Sequence, residues 1–513
     1  MNGAESLVRT LLAGDVDVCF TNPGTSEMHF CAALDKINGM RCILCLFEGV
    51  VTGAADGYGR MSDKPAGTLL HLGPGLGNGL SNLHNAKKAR TPIVNIVGEH
   101  ATYHVAYDAP LTADIEGIAR PVSDWVRTSA DSKSVASDAA EAIAAARTHP
   151  GAISTLILPA DTAWTDAAGV AAVPTQENPE TASEAAVENC TQALQSGEPT
   201  MLLLGGKALR APTLENASRI SVHSNAAIRS ELMSARTERG AGRVGIERIP
   251  YVVDEAVKVL DGIRHLILVG AKPPVAFFAY PDKPSLLIPQ NCEVHVLATA
   301  EQDIEDALER LCDSVGAQST LPDLESAKRP ELSSGELTLE AVWAGVGHFL
   351  PEDAIVSDES ITSGRGLHPY TRGCPPHDWL SGTGGAIGRA LPEATGAAVA
   401  CPERPVLCLS GDGSAMYTVQ ALWTQARENL NVTTVIFNNR SYAVLHGELR
   451  NVGAVPGPTA HDIFDLDRPY LDWVAMAAGM GVEGVRVDTA EQFNTALAAG
   501  FRNSGPMLIE AMV

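Results

Sequence analysis

The segment PVLCLSGDGSAMYTVQALWTQARENLNVTTVIFNNRSY, Pro405 to Tyr442, constrains the fold more than any other part of the chain. It reads as an apolar strand ending at Ser410, a sharp turn at Gly411 and Gly413, a helix starting near Ser414, and a second apolar strand ending at Asn439. Strands joined through a helix run parallel, and a parallel sheet has to be covered by helices on both faces. Unobstructed glycine amides at the positive end of a helix make such a turn suited to a diphosphate. Asp412 lies inside the turn, and Asn439, 27 residues on, ends the next strand, so both side chains are expected at one carboxyl edge. A carboxylate, an amide oxygen and the backbone carbonyl of Ser441 would leave room for two phosphate oxygens and a water around an octahedral Mg²⁺. That is a hard-cation site and not a zinc site.

The same alternation of short apolar runs with helical patterns fills the rest of the 513 residues, which exceed what one core supports. Strands are expected near Val16–Thr21, Cys42–Phe47, Gly67–His71, Ile93–Gly98 and Ile153–Leu158, then Met201–Leu204, Leu266–Gly270 and Val294–Leu297, and finally Ala354–Ser357, Val406–Ser410, Thr434–Asn438 and Met507–Ala511. Polar stretches rich in Ala, Pro, Ser, Thr and Glu, at about 165–181 and 313–334, read as linkers. The expected organisation is therefore α/β, with three doubly wound parallel-sheet domains over residues 1–165, 182–315 and 335–513.

A net charge of −24 excludes nucleic acid and anionic lipid as main partners, because both need a basic footprint. No apolar run approaches the roughly 20 residues that cross a bilayer. The N-terminus MNGAESLVRTLLAGDVDVCF lacks the pattern of a signal peptide, which points to the cytoplasm. Ten scattered cysteines suit free thiols in a reducing compartment; Cys42 and Cys45, spaced C-x-x-C within an apolar run, read as packing residues. Gly73-Pro74-Gly75-Leu76-Gly77 lacks full dinucleotide-loop spacing and reads as a tight turn allowing close backbone approach. Gly205-Gly206 reads as a plain strand-to-helix turn, with a nucleotide phosphate as the other option.

GDG followed by NN at this spacing resembles the thiamine-diphosphate-binding motif of the acetolactate synthase, pyruvate decarboxylase and benzoylformate decarboxylase superfamily. The resemblance covers essentially the whole chain. It implies an N-terminal pyrimidine-binding domain, a middle domain and a C-terminal domain that binds the diphosphate through Gly411, Asp412, Gly413, Ser414 and Thr362, with Ser360 a further contact. Glu48, in CLFEGVVTGAADGYGR, matches the glutamate that bonds the aminopyrimidine and shifts its tautomer so that the ring can remove a proton. In SGTGGAIGRALPEATG, Ile387 resembles the residue that holds the cofactor bent, and Gly385 the neighbour whose carbonyl meets the amino group. The family encloses each cofactor between two chains, which implies a homo-oligomer, a dimer at least and a tetramer commonly.

The implied chemistry is decarboxylation of a 2-oxo acid, and the sequence resembles two branches of the family. ADGYGRMSDKPAG and DAPLTADIEGIARPVSDW are similar to acetolactate synthase, as is the GPG at Gly73 to Gly75, whereas Gly49 and Leu111 depart from it. GAKPPVAFF lacks the arginine that helps those synthases bind FAD, so FAD is expected to be absent. His71 resembles a histidine of benzoylformate decarboxylase and Thr25, with Ser26 beside it, occupies that family's serine position; a histidine there would shuttle a proton. Thr25, Ser26, His71 and Leu111 are thus the candidate substrate pocket, with Glu48, His71 and Thr25 the candidate catalytic residues. His100 and His104 read as loop residues, and His446, after Tyr442, is a candidate to face the substrate whose side the spacing does not fix. The leading expectation is an acetolactate-synthase-like enzyme that decarboxylates a pyruvate-like 2-oxo acid and ligates the product to an acceptor carbonyl. The alternatives are a non-oxidative decarboxylase of the benzoylformate type and a non-catalytic cofactor-binding subunit.

Overall fold

The computed structural model describes residues 1–513. The first sheet has six parallel strands in the order Arg41–Leu44, Val18–Asn22, Ala66–Leu70, Ile93–Glu99, Ile153–Pro159 and Trp125–Thr128. The middle sheet has four, ordered Glu293–Ala298, His265–Val269, Thr200–Leu204 and Ala227–Ser230. The third has seven: Glu483–Val487, Met507–Met512, Val432–Asn438, Val406–Gly411, Ile355–Glu359, His377–Leu380 and Arg236–Arg239. The chain is thus a set of parallel-sheet α/β units, and no helix is long and apolar enough to cross a membrane.

One strand crosses between units. Arg236–Arg239 lies in the middle segment of the sequence but pairs antiparallel with His377–Leu380, closing the edge of the third sheet. Its charges are met there, with Arg236 Nε 2.6 Å from Asp378 Oδ1.

The first and third units share a continuous apolar core. It is built where helix Glu48–Ser62 lies against helix Ala390–Ala400. Glycine makes this approach possible: a Cβ on Gly57 would stand 2.0 Å from the Glu393 carbonyl oxygen, and one on Gly396 1.8 Å from that of Ala54. Beside the contact, a fully buried Arg60 bonds Asp56 at 2.6 Å and stands 3.6 Å from Glu393, which also pairs with Arg389. Such a network costs desolvation and contributes chiefly through register, since removing one partner would strand a buried charge.

Several local expectations change. Gly73 to Gly77 form no turn; they lie inside helix Leu72–Ala89, where Pro74 in the first turn loses no hydrogen bond because that N–H has no helical acceptor. The strand near Glu48 ends at Leu44, so Glu48 is the first residue of its helix and not the end of a strand. The helix expected near Ser414 begins at Asp412 and lasts only to Ala415 before a 3₁₀ turn, Met416–Thr418. Residues 166–182 carry almost no regular structure and run along the first unit, with Ser6 Oγ bonded to the Gly169 carbonyl. All ten cysteines are free thiols, and Cys42 faces Cys19 across the first two strands.

Candidate functional site

In doubly wound sheets a crevice opens at the carboxyl edge where successive strands depart in opposite directions. In the third sheet this point lies between Ile355–Glu359 and Val406–Gly411. The register sets Gly411 beside Phe437, which brings Asp412 and Asn439 to one edge from neighbouring strands. Asp412 is buried, its Oδ1 accepting from the Gly413 N–H at 2.9 Å and its Oδ2 from the Arg440 N–H at 2.8 Å. The left-handed backbone of Arg440 (φ 56°) turns the chain back so that this N–H points at the carboxylate. Asn439 Oδ1 accepts from the Ser441 N–H at 3.0 Å.

Burial pushes the Asp412 carboxyl up to about 6, against the two backbone N–H groups that favour its ionised form. No lysine, arginine or histidine pairs with it. A buried carboxylate without a cationic partner has a deficit that a divalent cation would fill, and the all-oxygen surroundings suit Mg²⁺. Neither Gly411 nor Gly413 has a left-handed backbone. Gly413 is needed instead for clearance, since a Cβ there would meet the Tyr442 ring at 2.4 Å. Ser414 is buried in the same turn, whereas Thr362 lies half-buried on the facing loop after Glu359. Ser360 Oγ is turned away, donating to Asp358 Oδ1. Gly385 (φ 78°) is exposed and Ile387 half-buried, on a loop overlaid by the Phe277 ring.

The first sheet has its switch point between Val18–Asn22 and Ala66–Leu70. Glu48 is buried beside it, with Asn22 Nδ2 donating to Oε1 at 3.0 Å and Asn78 Nδ2 to Oε2 at 2.9 Å. No residue that bonds the Glu48 carboxylate also bonds the Asp412 carboxylate.

His71 follows the neighbouring strand as the cap of helix Leu72–Ala89, and its Nδ1 stands 2.8 Å from Oε2 of Glu27. Glu27 is a residue that the sequence reading missed. It is 2% exposed, and burial raises its carboxyl above the usual carboxylate range against the pull of the Gly24 N–H and His71. Its only sequence signal, an acid in the first helical turn after TNPG, is the one any helix cap gives. A Cβ on Gly24 would stand 2.3 Å from His71 Nδ1, so the loop clamps the imidazole as well. Ser26 is half-buried, while Thr25 and Leu111 are exposed on the rim. His100 and His104 contact each other edge to face. His446 lies on the segment after Asn439, its Nε2 3.2 Å from Ser441 Oγ.

A cavity of ≈ 250 Å³ opens between the middle and third units, reaching from Thr362 to Tyr251, Tyr280, Val444 and Glu448. Both tyrosine hydroxyls donate to Glu448, at 3.3 and 2.8 Å.

Residues 1–118 match the family described as thiamine pyrophosphate enzyme, N-terminal TPP binding domain, and residues 363–511 its C-terminal TPP binding domain. The chain is 54% identical over its whole length to 99% of a Mycobacterium tuberculosis protein named "Putative acetolactate synthase large subunit IlvX". It is 29% identical over 96% of its length to 95% of the benzoylformate decarboxylase of Pseudomonas aeruginosa. Among solved structures, the Rhodococcus jostii thiamine diphosphate-dependent 4-hydroxybenzoylformate decarboxylase superposes with a TM-score of 0.88, at 25% identity, covering 100% of this chain and 99% of that one.

Proposed function

The chain belongs to the thiamine pyrophosphate enzyme family, the family of acetolactate synthases and benzoylformate decarboxylases, and from that premise we propose that it decarboxylates a 2-oxo acid and releases the aldehyde. The observation that carries this reading is the Glu27–His71 pair beside Glu48. Asp412, Asn439 and the Ser441 carbonyl would hold Mg²⁺, the amides of Gly411, Gly413 and Ser414 with the Thr362 hydroxyl would hold a diphosphate, and Glu48 would hold the aminopyrimidine. Gly385 and Ile387 would flank that ring. Thiamine diphosphate, when bound, supplies the electron sink that loss of a carboxylate requires.

With Glu27, 2.8 Å away, accepting from Nδ1–H of His71, Nε2 would be the nitrogen free to carry a proton. As the carbon–carbon bond breaks and CO₂ leaves, His71 Nε2 would deliver the proton that replaces the carboxylate on the substrate carbon. Thr25, Ser26 and Leu111 would line the path to that proton. Glu27→Gln is expected to lower kcat roughly 10- to 100-fold and to alter the limb of the pH–rate profile that reports the proton donor. An unchanged profile would remove Glu27 from this role.

The two clusters would complete each other across a dimer, Glu48 of one chain facing Asp412 of its partner. Exposed apolar side chains flank both halves, Leu46 and Tyr107 near the first and Met416 and Tyr417 beside the second, and association would cover them. The cavity beside Thr362 supports a bulkier substrate than pyruvate, since its aromatic walls suit a ring and Glu448 would accept from a ring hydroxyl.

A second reading, joining of the decarboxylated fragment to an acceptor carbonyl, is supported by the synthase-like stretches and by the name of the Mycobacterium tuberculosis relative. Incubation with thiamine diphosphate, Mg²⁺ and either pyruvate or benzoylformate separates the two by product. Aldehyde from benzoylformate is expected, acetolactate from pyruvate would favour the second reading, and no CO₂ from any 2-oxo acid would defeat both. No flavin is expected, and flavin absorbance of the purified protein would overturn that.

A further inference from the structure

At the far end of the middle sheet, a cluster of side chains has no part in the chemistry above. His265 opens strand His265–Val269 and Glu293 opens its parallel neighbour, and the register pairs His265 with Glu293 and Ile267 with His295. Residues two apart on a strand share a face, so all three side chains project from the same side of the amino edge. His265 Nδ1 lies 3.1 Å from His295 Nε2 and 3.9 Å from a Glu293 carboxylate oxygen, and the three donor atoms all lie within 4.8 Å of one another. Two nitrogens on one tetrahedral ion, each about 2.0–2.1 Å from it, are separated by a little over 3 Å.

The other nitrogen of His265 supplies the second observation. Nε2 lies 3.1 Å from Oε2 of Glu198, on the loop before the adjacent strand. A carboxylate that takes the far N–H of an imidazole fixes its tautomer, leaving Nδ1 with its lone pair directed at His295, as in carboxylate–histidine–metal triads. His265 is nearly enclosed, its side chain 11% exposed, whereas Glu293 is 70% exposed and can swing onto an ion.

We propose that His265, His295 and Glu293 bind a divalent transition ion of the Zn²⁺ class, with water completing a tetrahedron and Glu198 orienting His265. Two imidazoles and a carboxylate suit Zn²⁺ and its neighbours and not the Mg²⁺ expected at Asp412. The ion would tie the edge strand Glu293–Ala298 to the centre of the middle sheet, away from the carboxyl edges where the reaction groups lie, so its role would be structural.

The test uses the full-length protein loaded with thiamine diphosphate and Mg²⁺, freed of other metals by chelation, and titrated with Co²⁺ as a visible probe and with Zn²⁺ in competition. One equivalent giving the intense absorption of tetrahedral Co²⁺, displaced by Zn²⁺, is expected. His295→Gln should abolish that band, and Glu198→Gln should weaken binding roughly 10- to 100-fold. Neither variant touches the reaction groups, so decarboxylase activity serves as the check that each is folded. His446→Gln guards against the other histidine pair, His446 and His461, and should leave the band intact. Persistence of the band in folded His295→Gln, or its absence from the parent protein, would overturn the site and leave a plain imidazole–imidazole hydrogen bond.

Discussion

Glu48→Gln is expected to bind thiamine diphosphate and Mg²⁺ nearly as the parent does and to lose roughly 10²- to 10⁴-fold in turnover, the usual contribution of a positioned acid–base group. The substitution keeps shape and removes the carboxyl's capacity to hold a proton. Two asparagine amides grip this carboxylate, Asn22 on one oxygen and Asn78 on the other, and no cation is paired with it. A glutamine amide would set one NH₂ group against an asparagine NH₂, but an asparagine presents its own carbonyl after a half-turn, so both contacts can be remade. The folding cost should stay within about 1 kcal/mol. Cofactor affinity, followed by quenching of intrinsic fluorescence, separates this outcome from simple failure to bind. Turnover within tenfold of the parent, with cofactor bound, would show that Glu48 is not the proton-holding group.

The parts of this molecule that sequence made legible are those whose burial is local and apolar. Ile93–Glu99, Val406–Gly411 and Val432–Asn438 are interior strands covered on both faces, so each appears as a mostly apolar run, broken only by buried Asn95 in the first and by Thr433 and Thr434 in the last. Strands that escaped are stabilised by distant polar partners. His377–Leu380 is fully buried, yet it contains Asp378, whose charge is met by Arg236 and Arg404 from separate parts of the chain. Arg236–Arg239, RTER, has no apolar residue and exists as a strand only because that edge is waiting for it. Glu483–Val487 is a half-exposed edge whose Arg486 reaches the buried Glu510.

The site divides along the same line. Asp412 and Asn439 are set by a strand–turn–helix–strand pattern within 28 residues, and the register does the rest. Glu27 meets His71 only because the first and third strands of the first sheet are neighbours, a contact across 44 residues that no local pattern announces. The cavity at Tyr251 and Glu448 depends on how the middle unit sits against the third, and neither segment carries a signal of the other.

Asp412→Asn should abolish Mg²⁺-dependent cofactor binding and yet raise the stability of the cofactor-free protein. The Asp412 carboxyl titrates at about 6 in the folded chain against an ordinary value near 3.9 when unfolded. Between those values the folded state binds a proton that the unfolded state has released, so stability falls as pH rises through the window and the loss is complete above about 6. Its size at neutral pH is on the order of 2–3 kcal/mol, from roughly two pKa units at 1.36 kcal/mol each. Asparagine removes the charge at little expense in hydrogen bonds: its oxygen can still accept from Gly413, and the Arg440 N–H keeps the Asn438 side-chain oxygen at 3.2 Å. Melting curves of the cofactor-free proteins should therefore place the variant above the parent at pH 7, with the gap closing toward pH 4. Adding thiamine diphosphate and Mg²⁺ should reverse the order, because the parent gains the free energy of binding and the variant does not. If the variant still gained stability from Mg²⁺ and cofactor, Asp412 would not be the metal ligand, and its buried charge would need another partner.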